Sequence, residues 1–275
     1  MQLGIFTKIF VRPGLAQTLD AVAASGLAYT QFNLSCAGLP NLPDILDSAA
    51  AAAIRQEFTV RRLIMTAVSG TFNMIHPDPL KRQEGLQRLR VLAAACQSLG
   101  TSIITLCTGT RHPENMWRWH PDNDTPAAWH DLRLAMQAAL EIAEIYHVTL
   151  VIEPETANVV NGASRGRRLL DEMRSPQLKV VIDAANLFHV ADLERMAEVL
   201  DQAFELLGQD VVLAHAKDIT QGGQVVAAGK GVLDYDRYLA LLDAAGYRGP
   251  LILHSLDESE VPGSLAFLGA KLAKK

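Results

Sequence analysis

The sequence predicts one (β/α)8 TIM barrel, and three observations carry that reading. Short apolar strands alternate with helical stretches along all 275 residues, and eight strand-helix units can be counted. Strict alternation implies a parallel sheet with right-handed crossovers, and eight units suit a closed barrel. Four of the strands also end in a residue able to hold a divalent metal. Leu150-Val151-Ile152 runs into Glu153, Val180-Val181-Ile182 into Asp183, Val211-Val212-Leu213-Ala214 into His215, and Leu251-Ile252-Leu253 into His254. These residues are 30, 32 and 39 positions apart, each interval holding a helical pattern, so they mark successive units rather than a local cluster. Finally, no G-x-G-x-x-G follows the first strand and no Gly-Lys-Ser/Thr loop is present, which weighs against an open nucleotide-binding sheet. Without a Pro-, Gly- or Ser-rich linker, residues 1–275 read as one domain.

Each unit has its own signals. The first strand lies at 3–6, and Pro13 opens an Ala-rich helix closed by Gly26. A strand at 29–33 precedes a helix expected over 40–58, and a third strand at 62–68 leads through Ser69-Gly70-Thr71-Phe72-Asn73 to a helix introduced by His76-Pro77-Asp78-Pro79. The fourth strand is 103–107. The segment 108–125 is the longest loop, with Trp117 and Trp119 inside it and Trp129 just beyond, as expected of an ordered lid or rim packing. Helices follow at 126–147, 163–173, 193–207, 235–245 and 263–272, interleaved with the four ligand-ended strands.

Composition narrows the function classes. An apolar content of 49% supports a full core, and no apolar run reaches the ~20 residues of a membrane span. A formal charge of -5 weighs against nucleic-acid binding, and the cationic Arg165-Gly166-Arg167-Arg168 reads as a solvated helix face beside Asp171 and Glu172. Cys36, Cys96 and Cys107 show no paired spacing, and residues 1–10 show no leader pattern, so a cytoplasmic protein is expected.

Two carboxylates with one or two imidazoles suit Mn²⁺, Zn²⁺, Co²⁺ or Fe²⁺ and are too nitrogen-rich for a usual Ca²⁺ site. Glu153, Asp183, His215 and His254 are therefore candidate ligands of one divalent ion. Glu153 is the leading candidate base. Glu155 is a second candidate, with Pro154 rigidifying the pair, and is expected to face away from Glu153. Lys217, His76 and His112 are candidate substrate contacts around the mouth; His189 reads as a helix-start residue and Asp218 as a cap for the next turn. Gly229-Lys230-Gly231 follows the seventh strand, where barrels often bind phosphate, which makes Lys230 a further substrate candidate.

The motifs together resemble the xylose isomerase-like TIM-barrel superfamily, which includes sugar-phosphate isomerases and epimerases and AP endonuclease family 2. They are Ser-Gly-Thr-Phe-Asn with His-Pro-Asp, Thr-Gly-Thr, Ile-Glu-Pro-Glu, Ile-Asp-Ala-Ala-Asn, His-Ala-Lys-Asp, Gly-Lys-Gly with Leu-Asp-Tyr, and Gly-Pro-Leu-Ile-Leu-His, in that order along the whole chain. The resemblance implies a metal on Glu153, Asp183 and His215, a substrate contact at Asn186, and an isomerase or epimerase working on a small sugar, sugar phosphate or hydroxy-keto compound through an enediolate. It also implies a strand-eight glutamate as fourth ligand and second acid/base. This chain has His254 there, with Glu258 four residues on, so either is a candidate for that role. The alternatives are a metal-dependent dehydratase or lyase on the same barrel and a non-catalytic sugar-binding protein. The acidic balance and Asn186, where a histidine would help, disfavour an AP endonuclease. A homo-oligomer is compatible with all of these.

Overall fold

In the computed structural model, which describes residues 1–273, eight strands close into a parallel barrel among the described residues. They are β1 (Leu3–Phe6), β2 (Tyr29–Phe32), β3 (Ile64–Ser69), β4 (Ile103–Cys107), β5 (Thr149–Glu153), β6 (Leu178–Asp183), β7 (Val211–Ile219) and β9 (Leu251–Leu253). Each pairs with its chain neighbours, and β9 bridges β7 and β1 to complete the ring. The short β8 (Val225–Ala227) lies outside this order and pairs antiparallel with the end of β7. Helices α1 (Leu15–Ala24), α2 (Ser48–Val60), α3 (Pro79–Leu99), α4 (Pro126–Tyr146), α5 (Ala163–Met173), α6 (Met196–Leu207), α7 (Tyr235–Ala244) and α8 (Val261–Leu272) follow the barrel strands in turn. No described helix is long and apolar enough to cross a membrane.

Local chemistry explains the boundaries. Asp47, Asp78, Thr125 and Asp234 each accept a backbone N–H of the helix they precede, satisfying donors that the first turn leaves open. The second helix starts at Ser48 rather than near residue 40, because Asp47 supplies this cap. The seventh strand continues past His215 to Ile219, since β8 folds back to pair with it, so part of the expected 219–232 loop is a hairpin.

Inside the barrel, side chains alternate between the helix-facing core and the lumen. Phe6, Ala67, Val151, Val181, Leu213 and Ile252 form an apolar lumen cluster. Two residues further along β3, β5, β6, β7 and β9 come Ser69, Glu153, Asp183, His215 and His254, so the same inward face turns polar at the C-terminal mouth.

Ring closure leaves no room at Gly4, where an added Cβ would lie 2.5 Å from Ile252 Cδ1 and 2.7 Å from the Tyr29 carbonyl. A Gly4→Ala substitution is expected to destabilise the fold by about 1–3 kcal/mol, read as a lowered urea midpoint. A wild-type midpoint would show that the β9–β1–β2 seam relaxes freely.

Candidate metal centre at the barrel mouth

The ends of β5, β6 and β7 bring Glu153, Asp183 and His215 together, with one potential ligand atom from each lying within 4.8 Å of the others. Paired registers carry this convergence, for Asp183 on β6 stands opposite His215 on β7. His215 Nδ1 is 3.5 Å from Glu153 Oε1 and 3.6 Å from Asp183 Oδ2. Both are too long for hydrogen bonds. His215 Nδ1 is consequently buried without a hydrogen-bond partner, and Asp183 Oδ2, which makes no directed hydrogen bond, has the Lys217 ammonium against it at 3.0 Å. Buried polar atoms are normally satisfied, so a ring nitrogen left open beside two carboxylates fits a divalent cation.

Lys217, two residues after His215 on the same strand face, sends Nζ to 3.0 Å from Asp183 Oδ2 and 3.3 Å from Glu153 Oε1. Asn186 Nδ2 donates to the same Glu153 oxygen at 2.6 Å. Burial alone would raise the Glu153 pKa, but the charges of Lys217 and His215 outweigh it and hold the carboxylate below its usual range. Reciprocally, burial opposes the charge on Lys217, yet Asp183 and Glu153 keep its ammonium protonated. The His215 pKa is raised in the same way, with burial opposing and Glu153 and Asp183 prevailing.

A cavity of about 340 Å³ opens over this cluster, lined among others by Phe6, Lys8, Glu153, Glu155, Lys217 and His254. The His254 ring lies between two others, stacked on Phe6 and on His215 with centroids 4.8 Å away in each case. Burial lowers its pKa well below the ordinary value, and the nearby positive charges of Lys217 and His215 add to this. Its Nδ1 bonds Ser255 Oγ at 2.7 Å, and it stands outside the compact three-residue cluster.

Several expected contacts lie elsewhere. Glu258 is surface-exposed and doubly bonded to Arg12, at 2.6 and 2.8 Å, so its carboxylate is engaged away from the cavity. Lys230 pairs with Glu260 at 2.7 Å, and the backbone of its loop is taken by Asp218, whose buried carboxylate accepts from the N–H groups of Ile219, Gly229 and Leu233. The Gly-Lys-Gly stretch is thus a turn organised around Asp218 rather than a phosphate cradle. His76 bonds the Pro113 carbonyl and accepts from Asp78 N–H, facing a neighbouring cavity of about 370 Å³. His112 accepts the N–H groups of Glu114 and Asn115, which ties its ring into its own loop. His189 stands at the N-cap of a 3-10 turn.

Glu155 does not face away. Residues two apart share one side of an extended chain, and both Glu153 and Glu155 line the cavity. Burial, then the charge of Glu153, raises the Glu155 pKa to about 7. The loop after β4 is ordered chiefly by asparagines: Asn73 Oδ1 accepts from Thr110 N–H, Asn158 from Gly109 N–H and Asn123 from Arg111 N–H. Trp117 reaches the cavity rim, whereas Trp129 is buried on α4. Gln31 and Thr105, not singled out in the sequence, and Ser69, expected there as a loop residue, form a buried polar layer beside His215. The signal that marks them is the inward parity of β2, β3 and β4.

Residues 19–270 match the profile of the xylose isomerase-like TIM barrels. The chain belongs to that family. L-ribulose-5-phosphate 3-epimerase UlaE of Shigella flexneri is 24% identical over 213 residues, covering 74% of this chain and 69% of the relative. Among solved structures, a xylose isomerase domain protein from Planctomyces limnophilus superposes with a TM-score of 0.77 at 18% identity, covering 99% of this chain and 96% of the other. An L-ribulose 3-epimerase superposes with a TM-score of 0.76 at 16% identity, covering 100% and 95%. At these identities the superpositions speak to the fold alone.

Two predictions follow from the geometry. Glu155→Gln should stabilise the metal-free protein above pH 7 by about 1–3 kcal/mol and leave it unchanged below pH 4.5. The sign follows because the unfolded chain ionises this group near its ordinary value of 4.5 while the folded chain resists until about 7, so wild-type stability falls across that window. Denaturant titrations at both ends check it; equal stabilities at pH 8 would show Glu155 ionising freely. Glu258→Gln, which removes only an exposed ion pair, should leave kcat/KM within about twofold, as steady-state rates on an active substrate would show.

Proposed function

We propose that this chain is a divalent-metal-dependent isomerase or epimerase acting on a small sugar, sugar phosphate or related hydroxy-keto compound. The observation that carries the reading is the buried, unpartnered His215 Nδ1, facing the Glu153 and Asp183 carboxylates at the C-terminal mouth of the barrel. The 24% identical relative being an L-ribulose-5-phosphate 3-epimerase supports the sugar class.

Glu153, Asp183 and His215 are the residues that would hold the ion, which when bound supplies Lewis acidity toward a carbonyl and its neighbouring hydroxyl. The chain provides the proton chemistry. Both hydrogen bonds to Glu153 fall on Oε1, from Asn186 and Lys217, leaving Oε2 with no protein donor among the described residues. An ionised carboxylate with one free oxygen is suited to removing a proton beside a carbonyl. Lys217 and Asn186 fix its orientation, and the Lys217 ammonium adds positive charge where negative charge develops on substrate oxygen. His254 is a neutral imidazole at the strand-eight position, its Nδ1 held by Ser255, which leaves Nε2 to exchange a proton as the second acid/base. With Glu258 tied to Arg12, His254 is the group that takes this role.

Elemental analysis after stripping and reloading should find about one Mn²⁺, Zn²⁺, Co²⁺ or Fe²⁺ per chain. Loaded protein should wash solvent deuterium into a ketose or ketose phosphate, and Glu153→Gln should slow that exchange at least about 100-fold. A wild type that retains no ion under any loading, or a fully active Glu153→Gln variant, would overturn the reading.

A further inference from the structure

We propose that Gln31 is a positioning residue that fixes the ring tautomer of His215, keeping the Nδ1 lone pair turned toward Glu153 and Asp183. His215 Nε2 lies 2.7 Å from Gln31 Oε1, a buried contact between strands on opposite parts of the ring. An amide oxygen only accepts, so the proton belongs to Nε2 and Nδ1 is left as the lone-pair nitrogen. The other end of the amide is compatible with this. Gln31 Nε2 is 3.4 Å from both Ser69 Oγ and Thr105 Oγ1, two hydroxyls that can accept its protons and are themselves in contact at 3.4 Å.

The reverse arrangement would turn the amide N–H toward His215 and place the ring proton on Nδ1. That N–H would then point between carboxylate oxygens 3.5 and 3.6 Å away and leave Nδ1 no lone pair for an ion. Ligation through Nδ1 therefore requires the Nε2–H form, which the 2.7 Å contact with Gln31 Oε1 holds. Gln31 itself is only 3% exposed, and its side chain borders the cavity over the cluster. Partners that hold the second nitrogen of a ligating histidine typically change metal affinity by about 10- to 100-fold when removed. Here that partner comes from β2, a strand that contributes no ligand to the cluster.

The affinity arm of the test rests on the proposed metal reading; the spectroscopic arm does not. In metal-stripped wild-type protein, at a pH where the ring is neutral, nitrogen-15 NMR should place the His215 proton on Nε2. Gln31→Met, close in shape but without an acceptor, should give a mixed or Nδ1–H form and weaken Zn²⁺ binding about 10- to 100-fold in chelator competition. Gln31→Glu, which restores an acceptor while Ser69 and Thr105 rotate to donate, should recover the wild-type tautomer and bring affinity back to within a few-fold of wild type. A generally damaged fold would not be rescued in this way. A wild-type proton on Nδ1, unchanged Zn²⁺ affinity in Gln31→Met, or equal losses in the Met and Glu variants would overturn the assignment. Should wild type bind no divalent ion at all, the functional reading fails while the tautomer measurement still decides the role of Gln31.

Discussion

Two carboxylates buried within a few ångströms of each other at the end of a closed barrel set the terms for everything around them. Burying Glu153 and Asp183 side by side is costly without positive charge, because desolvation penalises each charge and their mutual repulsion adds to it. Lys217 meets part of that demand from within the chain, bridging both acids from the same strand face as His215. It does not complete the site, since His215 Nδ1 still lacks a hydrogen-bond partner. The surrounding groups answer to this charge balance. Burial, together with the charge of Glu153, makes Glu155 resist ionisation until about pH 7, and burial beside Lys217 and His215 holds the His254 pKa well below its ordinary value.

Much of this was legible in the sequence because barrel geometry is periodic. A residue two places beyond an inward apolar residue must also point inward, so Val151, Val181 and Leu213 in the lumen guarantee the placement of Glu153, Asp183 and His215. The same rule locates Gln31, Ser69 and Thr105, but an amide and two hydroxyls at strand ends do not announce themselves as carboxylates and imidazoles do. It also places Glu155 on the Glu153 side, against the initial expectation. Loop residues obey no such period. His76, His112 and Lys230 all follow strand ends, yet their directions are decided by nearby backbone donors and acceptors or by a surface carboxylate. Glu258 was drawn away by Arg12, a partner 246 positions earlier that no local pattern reveals.

Membership of the xylose isomerase-like family accounts for the barrel, and the three-residue cluster stands at its mouth. His254, just past β9, does more than line the cavity: its ring fills the space between Phe6 and His215, so the three side chains stand as one stacked column across β1, β9 and β7. Shape and charge at that wall are coupled, since moving His254 would also free the ring that presents Nδ1 to the cluster.

The fold-back of β8 onto β7 has a consequence for how the protein tolerates change. The hairpin tip, Thr220 to Gln224, closes on itself through Thr220 N–H to the Gln224 carbonyl and Gly223 N–H to the Thr220 carbonyl, and it sits at the end of a strand extension that lies beyond the barrel register. Asp218 clamps the returning backbone at Gly229 and Leu233, below the tip. Length added at the tip is therefore insulated from Lys217 by the two-stranded stem, and a modest loop closure entropy is its main thermodynamic cost. The tip is a natural grafting point, where a peptide or reporter can be carried by the barrel without disturbing the charges at its mouth.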